Sequence, residues 1–333
     1  MSMKKRLAVI TAMTLLSVFV LSGCGSNSEN SLSGSVEGDK KDTVTLAMQN
    51  GMSYAPLTIM KEQQLVEKYC EGINVKWVTL NSGSAVNEGM ASGDIDFGGM
   101  GVSPAITAVA SGMGVKIAAS LDSMPNRLMS NDPDIDTMED ITKNDKIAAV
   151  NIGSFQHILI AMAAQKQLGD ARALDGNIVA MSHPDGMTAL LNGSVQLQIT
   201  NPPYLYQEMR NSTLHEVEGI ADVWPVGNST IVLTGTEEIH DNYRNIYDGV
   251  MEALEEAIAF INENPKGAAE ILAAAEELRP AEYQTWLENE DTVFSTECKG
   301  VMQVTKFMEE NGFMDYDAPE SFSDLAFDNV KGN

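Results

Sequence analysis

The sequence predicts an α/β protein of two lobes, each a mainly parallel sheet flanked by helices, with two chain crossings between them. Two observations carry this prediction. From Thr43 onward, short apolar segments with strand-like alternation take turns with helical segments, the order typical of parallel sheets. The first part of this pattern then returns about 100 residues later, which indicates two lobes of one design.

The elements of the first lobe follow from their apolar periodicity and from their turn residues. The predicted strands are Thr43–Met48, Val75–Leu80, a short strand around Ile95 and Phe97, and Val115–Leu121. The predicted helices between them run from Ala55 or Pro56 to about Tyr69, from the serines near Ser84 to Ala91, and over Ala105–Ser111.

The stretch Gly93–Pro104 organises this lobe. Its strand runs into glycines, and glycine lets backbone pass close to a ligand or adopt a positive φ. Ser103 and Pro104 form a helix start, because serine caps a helix and proline fits its first position. In α/β sheets ligands bind where a strand's carboxyl end meets a helix N-terminus. The alternative is an ordinary turn between a strand and a helix.

Three segments of the first lobe are echoed at nearly one offset. An offset of about 101 relates Ser53 to Ser154, and offsets of about 100 and 99 relate the other two pairs. The echoed segments are Asn50–Tyr54 with Asn151–Phe155, Gly93–Phe97 with Gly193–Leu197, and Pro104 with Pro203.

The chain is predicted to cross between the lobes twice, near Leu121–Arg127 and near Trp224–Ser229. A strand at Ser229–Thr234 and helices near 237–260, 268–278 and 292–313 should then pack back on the first lobe. Lobe I is therefore expected to comprise 43–124 plus 229–333, and lobe II 125–228. Two crossings form a hinge, and the cleft between such lobes can enclose a ligand.

The amino end has the layout of an export signal, with Lys4, Lys5 and Arg6 before an apolar run to Leu21. The run ends in Leu-Ser-Gly-Cys, which resembles the bacterial lipobox. The resemblance implies a lipoprotein signal peptide at 1–23 and acylation of Cys24, including a palmitate-type chain that anchors the protein in the membrane. The alternative is a plain export signal. Residues 24–42 are polar and should form a flexible tether.

The net charge of −26 argues against nucleic acid as a partner, since that requires a basic surface. Cys70 and Cys298 could form a disulfide or remain two thiols, and the sequence leaves both readings open. The four histidines have no metal-ligand spacing, and neither a phosphate loop nor a nucleophile elbow occurs. The sequence therefore predicts no catalytic residues, no metal and no cofactor.

Several first-lobe motifs closely resemble the nitrate/sulfonate/taurine group of ABC-transporter substrate-binding proteins, some of whose members carry thiamine precursors. The motifs are Ala55-Pro56-Leu57, Asn81-Ser82-Gly83-Ser84-Ala85, Ala91–Gly99 and Ser103-Pro104-Ala105; Gly153-Ser154 and Pro203-Tyr204 match more loosely. The second-lobe motif departs from the group at Thr200–Pro202, where many relatives have a tryptophan or an acid.

The resemblance implies the periplasmic-binding fold and a protein that catalyses nothing. It implies a small-molecule ligand such as a sulfonate, a nitrate-like anion or a pyrimidine, and delivery of that ligand to an ABC permease with its ATPase. The protein is expected to be a monomer on the outer face of the cytoplasmic membrane, or in the periplasm.

The predicted ligand-binding residues lie in loops at the strand ends of both lobes. Their hydroxyls and the helix-terminal amides can hold an anion without a cation. They are Ser53, Tyr54, Ser82, Ser84, Val102, Ser103, Arg127, Ser154, Phe155, Gln156, Asn201 and Tyr204. Tyr54 and Phe155 would clamp a flat portion of the ligand, and Arg127 is the cationic candidate. The alternative is that the serines only cap helices, the aromatic rings belong to the core and Arg127 lies on the hinge surface.

Two other functions compete with import. The fold also hosts enzymes of the thiamine-pyrimidine synthase and desulfinase types, but the former carry a cysteine-rich segment absent here. The latter need a cleft cysteine, and neither Cys70 nor Cys298 is expected near the cleft. A sensory surface lipoprotein is the third possibility.

Overall fold

Two five-stranded sheets form the framework of residues 41–333, the part of the chain that the computed structural model describes. The expected signal peptide, Cys24 and nearly all of the tether lie outside these residues. The strands are β1 (Thr43–Met48), β2 (Asn74–Thr79), β3 (Phe97–Gly101), β4 (Val115–Ser120), β5 (Arg127–Ser130), β6 (Ile147–Ala149), β7 (Ile178–Ala180), β8 (Leu197–Thr200), β9 (His215–Val217) and β10 (Ile231–Thr236).

Helices cover both sheets. They are α1 (Ala55–Glu62), α2 (Leu65–Tyr69), α3 (Gly83–Ala91), α4 (Val102–Ala110), α5 (Phe155–Leu168), α6 (His183–Leu191), α7 (Tyr204–Glu208), α8 (Ile220–Val223), α9 (Glu237–Asn242), α10 (Arg244–Glu263), α11 (Pro265–Ala275), α12 (Pro280–Leu287), α13 (Val301–Glu310) and α14 (Phe322–Leu325). Among the described residues, no helix is both long enough and apolar enough to cross a membrane.

The two sheets share one topology, which confirms the predicted fold class. Sheet A has the order β2-β1-β3-β10-β4 and sheet B the order β7-β6-β8-β5-β9. In each sheet the first three strands are parallel. The fourth strand is antiparallel to both of its neighbours. The sheets are therefore mixed rather than mainly parallel, because β10 and β5 each enter directly from a chain crossing.

The internal repeat extends to the register of the strand pairs and to the geometry of the turns. Leu46 pairs with Phe97 in sheet A, and Ile147 pairs with Leu197 in sheet B. The glycines before these strands have φ of 79° at Gly93 and 77° at Gly193. In both turns the next two backbone N–H groups donate to one helix carbonyl, that of Gly89 or that of Ala189.

The predicted helix start at Ser103 is wrong. Strand β3 extends through the glycines, and α4 begins at Val102 with Gly101 as its N-cap. Strand β3 is packed too tightly for larger residues, because a Cβ on Gly98 would lie 2.4 Å from a methyl of Val86. Close packing, rather than a turn, therefore explains these glycines.

Several predicted helices are also shorter or divided. The helix expected from Ala55 to Tyr69 breaks at Gln64, which has a φ of 53°. The helix expected over 237–260 divides at Tyr243 into α9 and α10. Of the span 292–313, only Val301–Glu310 is helical.

The two crossings lie side by side and are hydrogen-bonded to one another. In the first crossing (121–126), Leu121 N donates to Ile231 O at 2.9 Å. Thr230 N, in the second crossing (224–230), donates to Asp122 O at 3.2 Å. The first crossing is buried throughout, and the second is buried at Trp224, Ser229 and Thr230, so together they form an ordered joint between the sheets.

The carboxyl-terminal helices contact helices of both sheets, whereas the sequence predicted that they pack on the first lobe alone. Helix α10 packs on α1 and α2 beside sheet A, as expected. Helix α13, however, packs on both α4 and α5, the latter a helix of sheet B. Near its end, the Arg172 guanidinium lies 4.2 Å from the centre of the Phe313 ring.

The cysteine question is resolved in favour of two thiols. Cys70 and Cys298 are both unpaired and buried. Cys70 belongs to the apolar cluster beneath α10, while Cys298 belongs to the cluster around α4, α5 and α13. Burial raises the pKa of the Cys70 thiol to about 11 and that of Cys298 to about 12, so neither is a reactive thiolate at neutral pH.

Candidate functional site

A cavity of about 50 Å³ lies between the two sheets, at the carboxyl ends of their parallel strands. From sheet A its walls are Gln49, Asn50, Tyr54, Leu80, Asn81, Gly83, Ser84, Gly101, Pro104 and Ile231. From sheet B they are Val150, Asn151, Ser154, Phe155, Gln156, Ser182, His183, Pro184 and Asn201. The segments that follow β1, β2 and β3 thus face those that follow β6, β7 and β8. This is where open α/β sheets bind ligands.

Three serine-capped helices point their N-termini toward this cavity. The capping hydroxyls accept backbone N–H groups at 3.2 Å for Ser82 in α3, 3.3 Å for Ser154 in α5 and 3.4 Å for Ser182 in α6. Helix N-termini carry a partial positive charge and unpaired amides, so they favour acceptor groups of a ligand.

The walls of the cavity carry amides and hydroxyls rather than charges. Among the described residues that line it, none is Asp, Glu, Lys or Arg. Burial lowers the pKa of His183 to about 4, so its imidazole is neutral at pH 7. Burial and, to a smaller extent, the nearby Asp122 raise the pKa of Tyr54 well above its usual value of 10.0. The cavity is therefore uncharged at neutral pH.

Two flat surfaces border the polar walls. The Phe155 ring packs edge-on against Trp224 at 5.3 Å, which fixes its orientation. The His183 imidazole stacks on the Tyr204 ring at 5.9 Å and 18°. Gln156 Nε2 lies 3.5 Å from His183 Nε2 and adds a carboxamide beside that stack.

The walls touch one another across the cavity. Asn151 Nδ2 donates to Ser84 Oγ at 3.2 Å, and Ser103 Oγ donates to Gly153 O at 3.1 Å. A Cβ built on Gly101 would lie 2.7 Å from Phe155 Cβ, so only glycine allows this approach. The structure thus holds the two layers in contact.

The buried carboxylate of Asp122 lies outside the cavity and is linked through Ser53 to the lining residue Asn201. Asp122, in the first crossing, is fully buried, and its Oδ2 accepts from Ser53 Oγ at 2.8 Å while Oδ1 accepts from Ile231 N at 2.9 Å. Ser53 Oγ in turn accepts from Asn201 Nδ2 at 3.2 Å. Burial raises the pKa of Asp122 to about 7, although these hydrogen bonds oppose the rise. The chain Asp122–Ser53–Asn201 joins the hinge to both sheets.

The structure brings half of the predicted site residues to the cavity. Those that line it are Tyr54, Ser84, Ser154, Phe155, Gln156 and Asn201. Ser53 and Ser103 are fully buried and bond other protein groups, Ser82 serves as a helix cap, and Val102 is buried in the core.

Arg127 and Tyr204 lie outside the cavity walls. The Arg127 guanidinium pairs with Glu216 at 2.9 Å and donates to Asn126 O at 2.8 Å, so it does not provide a cation to the cavity. Tyr204 lines a neighbouring cleft of about 410 Å³, which shares Gln49 and Asn50 with the cavity. His157 is buried, as expected of a structural histidine, and its Nδ1 accepts from Gly153 N at 3.1 Å.

Sequence reasoning missed several polar residues in the walls. These are Gln49, Asn50, Asn81, Asn151, Ser182 and His183. Asn50 and Asn151 stand at the head of the first echoed segment, so the repeat itself contained a usable signal. Ser182 and His183 lie at the start of α6, which was not recognised as an element.

The fold and the paired strand ends define the two-lobed class of periplasmic binding proteins. The chain belongs to the NMT1-like family, whose model matches residues 37–275. It is 30% identical over 245 residues to a Bacillus subtilis (strain 168) protein proposed to bind aliphatic sulfonates, covering 72% of this chain and 69% of that one. These matches confirm the family resemblance.

Solved structures share the fold at low sequence identity. The alkanesulfonate-binding protein SsuA of Xanthomonas axonopodis pv. citri, bound to MOPS, matches with a TM-score of 0.70 and 17% identity, over 89% of this chain and all of that one. SsuA of Escherichia coli, a periplasmic aliphatic sulphonate binding protein, matches with a TM-score of 0.67 and 18% identity, over 88% and 94%. The nitrate-binding protein NrtA of Synechocystis PCC 6803 gives a TM-score of 0.67 and 16% identity, over 87% and 86%.

Proposed function

We propose that this protein is the extracytoplasmic solute-binding component of an ABC importer. It captures a small molecule between its two lobes and delivers it to the permease. The observation that carries the proposal is the polar, uncharged cavity at the strand ends of two topologically equivalent sheets, beside a double crossing. Binding proteins for sulfonates and nitrate share this architecture.

The candidate ligands are a sulfonate, a nitrate-like anion, or a pyrimidine or other small heterocycle. Helix N-termini and serine hydroxyls can hold an anion without a cation. Carboxamides and flat rings suit a heterocycle equally well. The relative from Bacillus subtilis supports the sulfonate class.

Binding requires the lobes to separate and close again. Ligand sites are typically about 300–1,000 Å³, well above the roughly 50 Å³ between the touching walls. We assign 43–124 plus 229–333 to lobe I and 125–228 to lobe II, with the crossings as hinge. Helix α13 contacts α4 and α5, so it must slide or move when the cleft opens.

The proposed location follows from the amino-terminal sequence. Residues 1–23 would direct export, acylated Cys24 would hold the protein at the membrane, and residues 24–42 would let it reach the permease. We further propose that the protein acts as a monomer and has no catalytic role. The enzyme alternative lacks support at the cavity, because neither Cys70 nor Cys298 lines it.

A thermal-shift screen of the full chain against sulfonates, nitrate, pyrimidines and purines tests the proposal. A true ligand raises the melting temperature, because it binds only the folded state. Gln156→Ala should weaken its affinity about ten-fold, whereas Gln165→Ala, an exposed position on the same helix, should not. A screen without any shift, or a ligand insensitive to Gln156→Ala, would contradict the proposal. Transport dependent on neighbouring permease and ATPase genes would separate import from a sensory role.

A further inference from the structure

We propose that the ligand is a net-neutral molecule bearing N–H donors, which the side-chain oxygens of Asn201 and Asn151 accept, and not an acceptor-only anion such as an alkanesulfonate or nitrate. This inference rests on the proposed function and narrows its ligand. It follows from the direction of the hydrogen bonds in the cavity wall.

The direction is set by the buried carboxylate of Asp122. Above its pKa of about 7 the Asp122 carboxylate is ionised and only accepts hydrogen bonds, so the Ser53 hydroxyl donates its single proton to Asp122 Oδ2. Ser53 Oγ can then only accept from Asn201, and the group it faces must be the Asn201 amide nitrogen. Asn201 Oδ1 is thereby left free. Asp122 is thus a positioning residue that acts on the ligand through two others.

The Asn201 oxygen needs a donor. Asn201 is 4% exposed and lines the cavity, and its Oδ1 has no hydrogen-bond partner among the described residues. Buried polar atoms in native proteins are nearly always paired, and an unpaired buried acceptor is costly. A ligand N–H at this point would satisfy it, whereas a sulfonate or nitrate oxygen would face it acceptor to acceptor.

A second carboxamide has the same orientation. Asn151 Nδ2 donates to Ser84 Oγ, and Asn151 Oδ1 has no partner among the described residues. Gln49 Nε2 likewise donates to a protein carbonyl, that of Gly99, at 3.3 Å. Three amide groups in the walls therefore bind protein through nitrogen, which leaves their oxygens to accept.

Charge points the same way. Among the residues that the structure describes, the walls hold no basic side chain, and the Asp122 carboxylate lies behind Ser53, where it disfavours an anion in the cavity. The helix N-termini still provide amide donors for acceptor atoms of the ligand. A molecule with both kinds of group and no net charge satisfies the whole wall. A neutral heterocycle and a zwitterion both have this chemistry.

The experiment is titration calorimetry of the full chain at pH 8.5, where Asp122 is ionised. The probes are taurine and ethanesulfonate, which differ in an ammonium group, with cytosine as neutral heterocycle and nitrate as small anion. We expect taurine or cytosine to bind about ten- to a hundred-fold more tightly than ethanesulfonate and nitrate, the factor for one unpaired buried acceptor. Which of the two binds distinguishes a zwitterion from a heterocycle.

The isosteric variant Asp122→Asn reverses the direction of the two hydrogen bonds that join Asp122, Ser53 and Asn201. Its new amide donates to Ser53, whose hydroxyl then donates to Asn201 Oδ1 and turns the Asn201 nitrogen toward the ligand. We expect the preference for N–H donors to fall at least ten-fold in this variant and to persist in Asp134→Asn, which removes an exposed carboxylate. Asn201→Ala provides a second test, since it deletes the acceptor without touching Asp122 and should abolish the preference.

Tighter binding of ethanesulfonate or nitrate than of both donor probes would overturn the inference while leaving the solute-binding function intact. An unchanged preference in both Asp122→Asn and Asn201→Ala would also overturn it. Failure of every probe to bind the wild-type chain would overturn this inference. If the wider thermal-shift screen also found no ligand, the result would count against the proposed function as well.

Discussion

Replacing Asp122 with asparagine should stabilise the protein, and more so at high pH than at low pH. Asp122 is fully buried, and no cationic side chain is within ion-pair distance of it among the described residues. Its hydrogen bonds come from neutral groups, the Ser53 hydroxyl and the backbone of the crossings. Asparagine keeps the shape, accepts from Ile231 N and donates to Ser53. The substitution therefore removes the charge and reverses the hydrogen bonds from Ser53 to Asn201 without reducing their number.

The magnitude follows from the pKa of the group. Burial raises the pKa of Asp122 from 3.8 to about 7. With a raised pKa in the folded state, its contribution to stability is fully present below pH 3.8 and is lost as pH rises to about 7. At about 1.4 kcal/mol for each pH unit, the loss is about 2 kcal/mol at pH 5 and about 4 kcal/mol at pH 8. We expect Asp122→Asn to recover these amounts.

The assay is urea unfolding of the full chain at pH 5 and pH 8, for wild type, Asp122→Asn and the surface control Asp134→Asn. The control changes the net charge equally, so it removes general charge effects from the comparison. The gain in the free energy of unfolding should grow by about 2 kcal/mol between the two pH values for Asp122→Asn alone. An equal gain at both pH values, or a loss of stability at pH 8, would refute the assignment of a buried carboxylate at this joint.

Three further predictions concern the cleft and its surroundings. Gly101→Ala should weaken ligand affinity about ten-fold in calorimetry, because its Cβ would lie 2.7 Å from Phe155 Cβ. The control Gly176→Ala, whose Cβ would have no atom within 4 Å, should leave the affinity unchanged, and equal affinities of the two variants would argue against closure on these residues. Affinity for a ligand with N–H donors should fall as pH drops from 8.5 to 5.5, since protonated Asp122 can donate to Ser53 and so reverse the hydrogen bonds to Asn201. Tyr54, the other ionisable group coupled to Asp122, has a pKa raised well above 10.0 and stays neutral over this range, so an affinity that does not change with pH would contradict the prediction. Burial raises the pKa of Glu208 to about 8, so its contribution to stability is lost as pH rises from about 4.5 toward 8. Glu208→Gln should therefore stabilise the chain more at pH 9 than at pH 6 in urea unfolding, and an equal gain at both pH values would contradict the burial of this carboxyl.

The sequence predicted the repeated architecture because equivalent turns need equivalent residues. Gly93 and Gly193 both adopt positive φ before a strand, so glycine recurs at that offset. Apolar alternation located β1 and β2 to within a few residues, and the two crossings followed from the expectation that the carboxyl-terminal helices return to the first lobe. Strand β10 was predicted two residues early, at Ser229–Thr234, and β5 was not predicted. The antiparallel pairing of both strands could not be predicted from alternation, since their partners are distant in the sequence.

Local signals misassigned the glycines of β3 and the start of α4. Ser103-Pro104 has the composition of a helix start, yet the Ser103 hydroxyl bonds the Gly153 carbonyl on the facing wall instead. Gly98 and Gly101 look like loop glycines but are strand residues against which Val86 and Phe155 pack. These roles depend on contacts between distant segments, which short-range patterns do not contain.

The same limit applies to the site. Residues after predicted strands, such as Tyr54, Ser154 and Asn201, could be placed at the cavity because the strands were known. Arg127 was a candidate for its charge and its position near the first crossing, and its pairing with Glu216 depends on the neighbouring strand β9. The direction of the Asn201 amide required knowledge of Ser53 and Asp122, from two other parts of the chain.

A crystal structure of the full chain with the ligand found by screening is the most direct measurement of where that ligand binds. We expect its density between Tyr54 and Phe155, with a donor atom within hydrogen-bond distance of Asn201 Oδ1. Density at another surface, with the space between these two rings occupied only by solvent, would contradict the account.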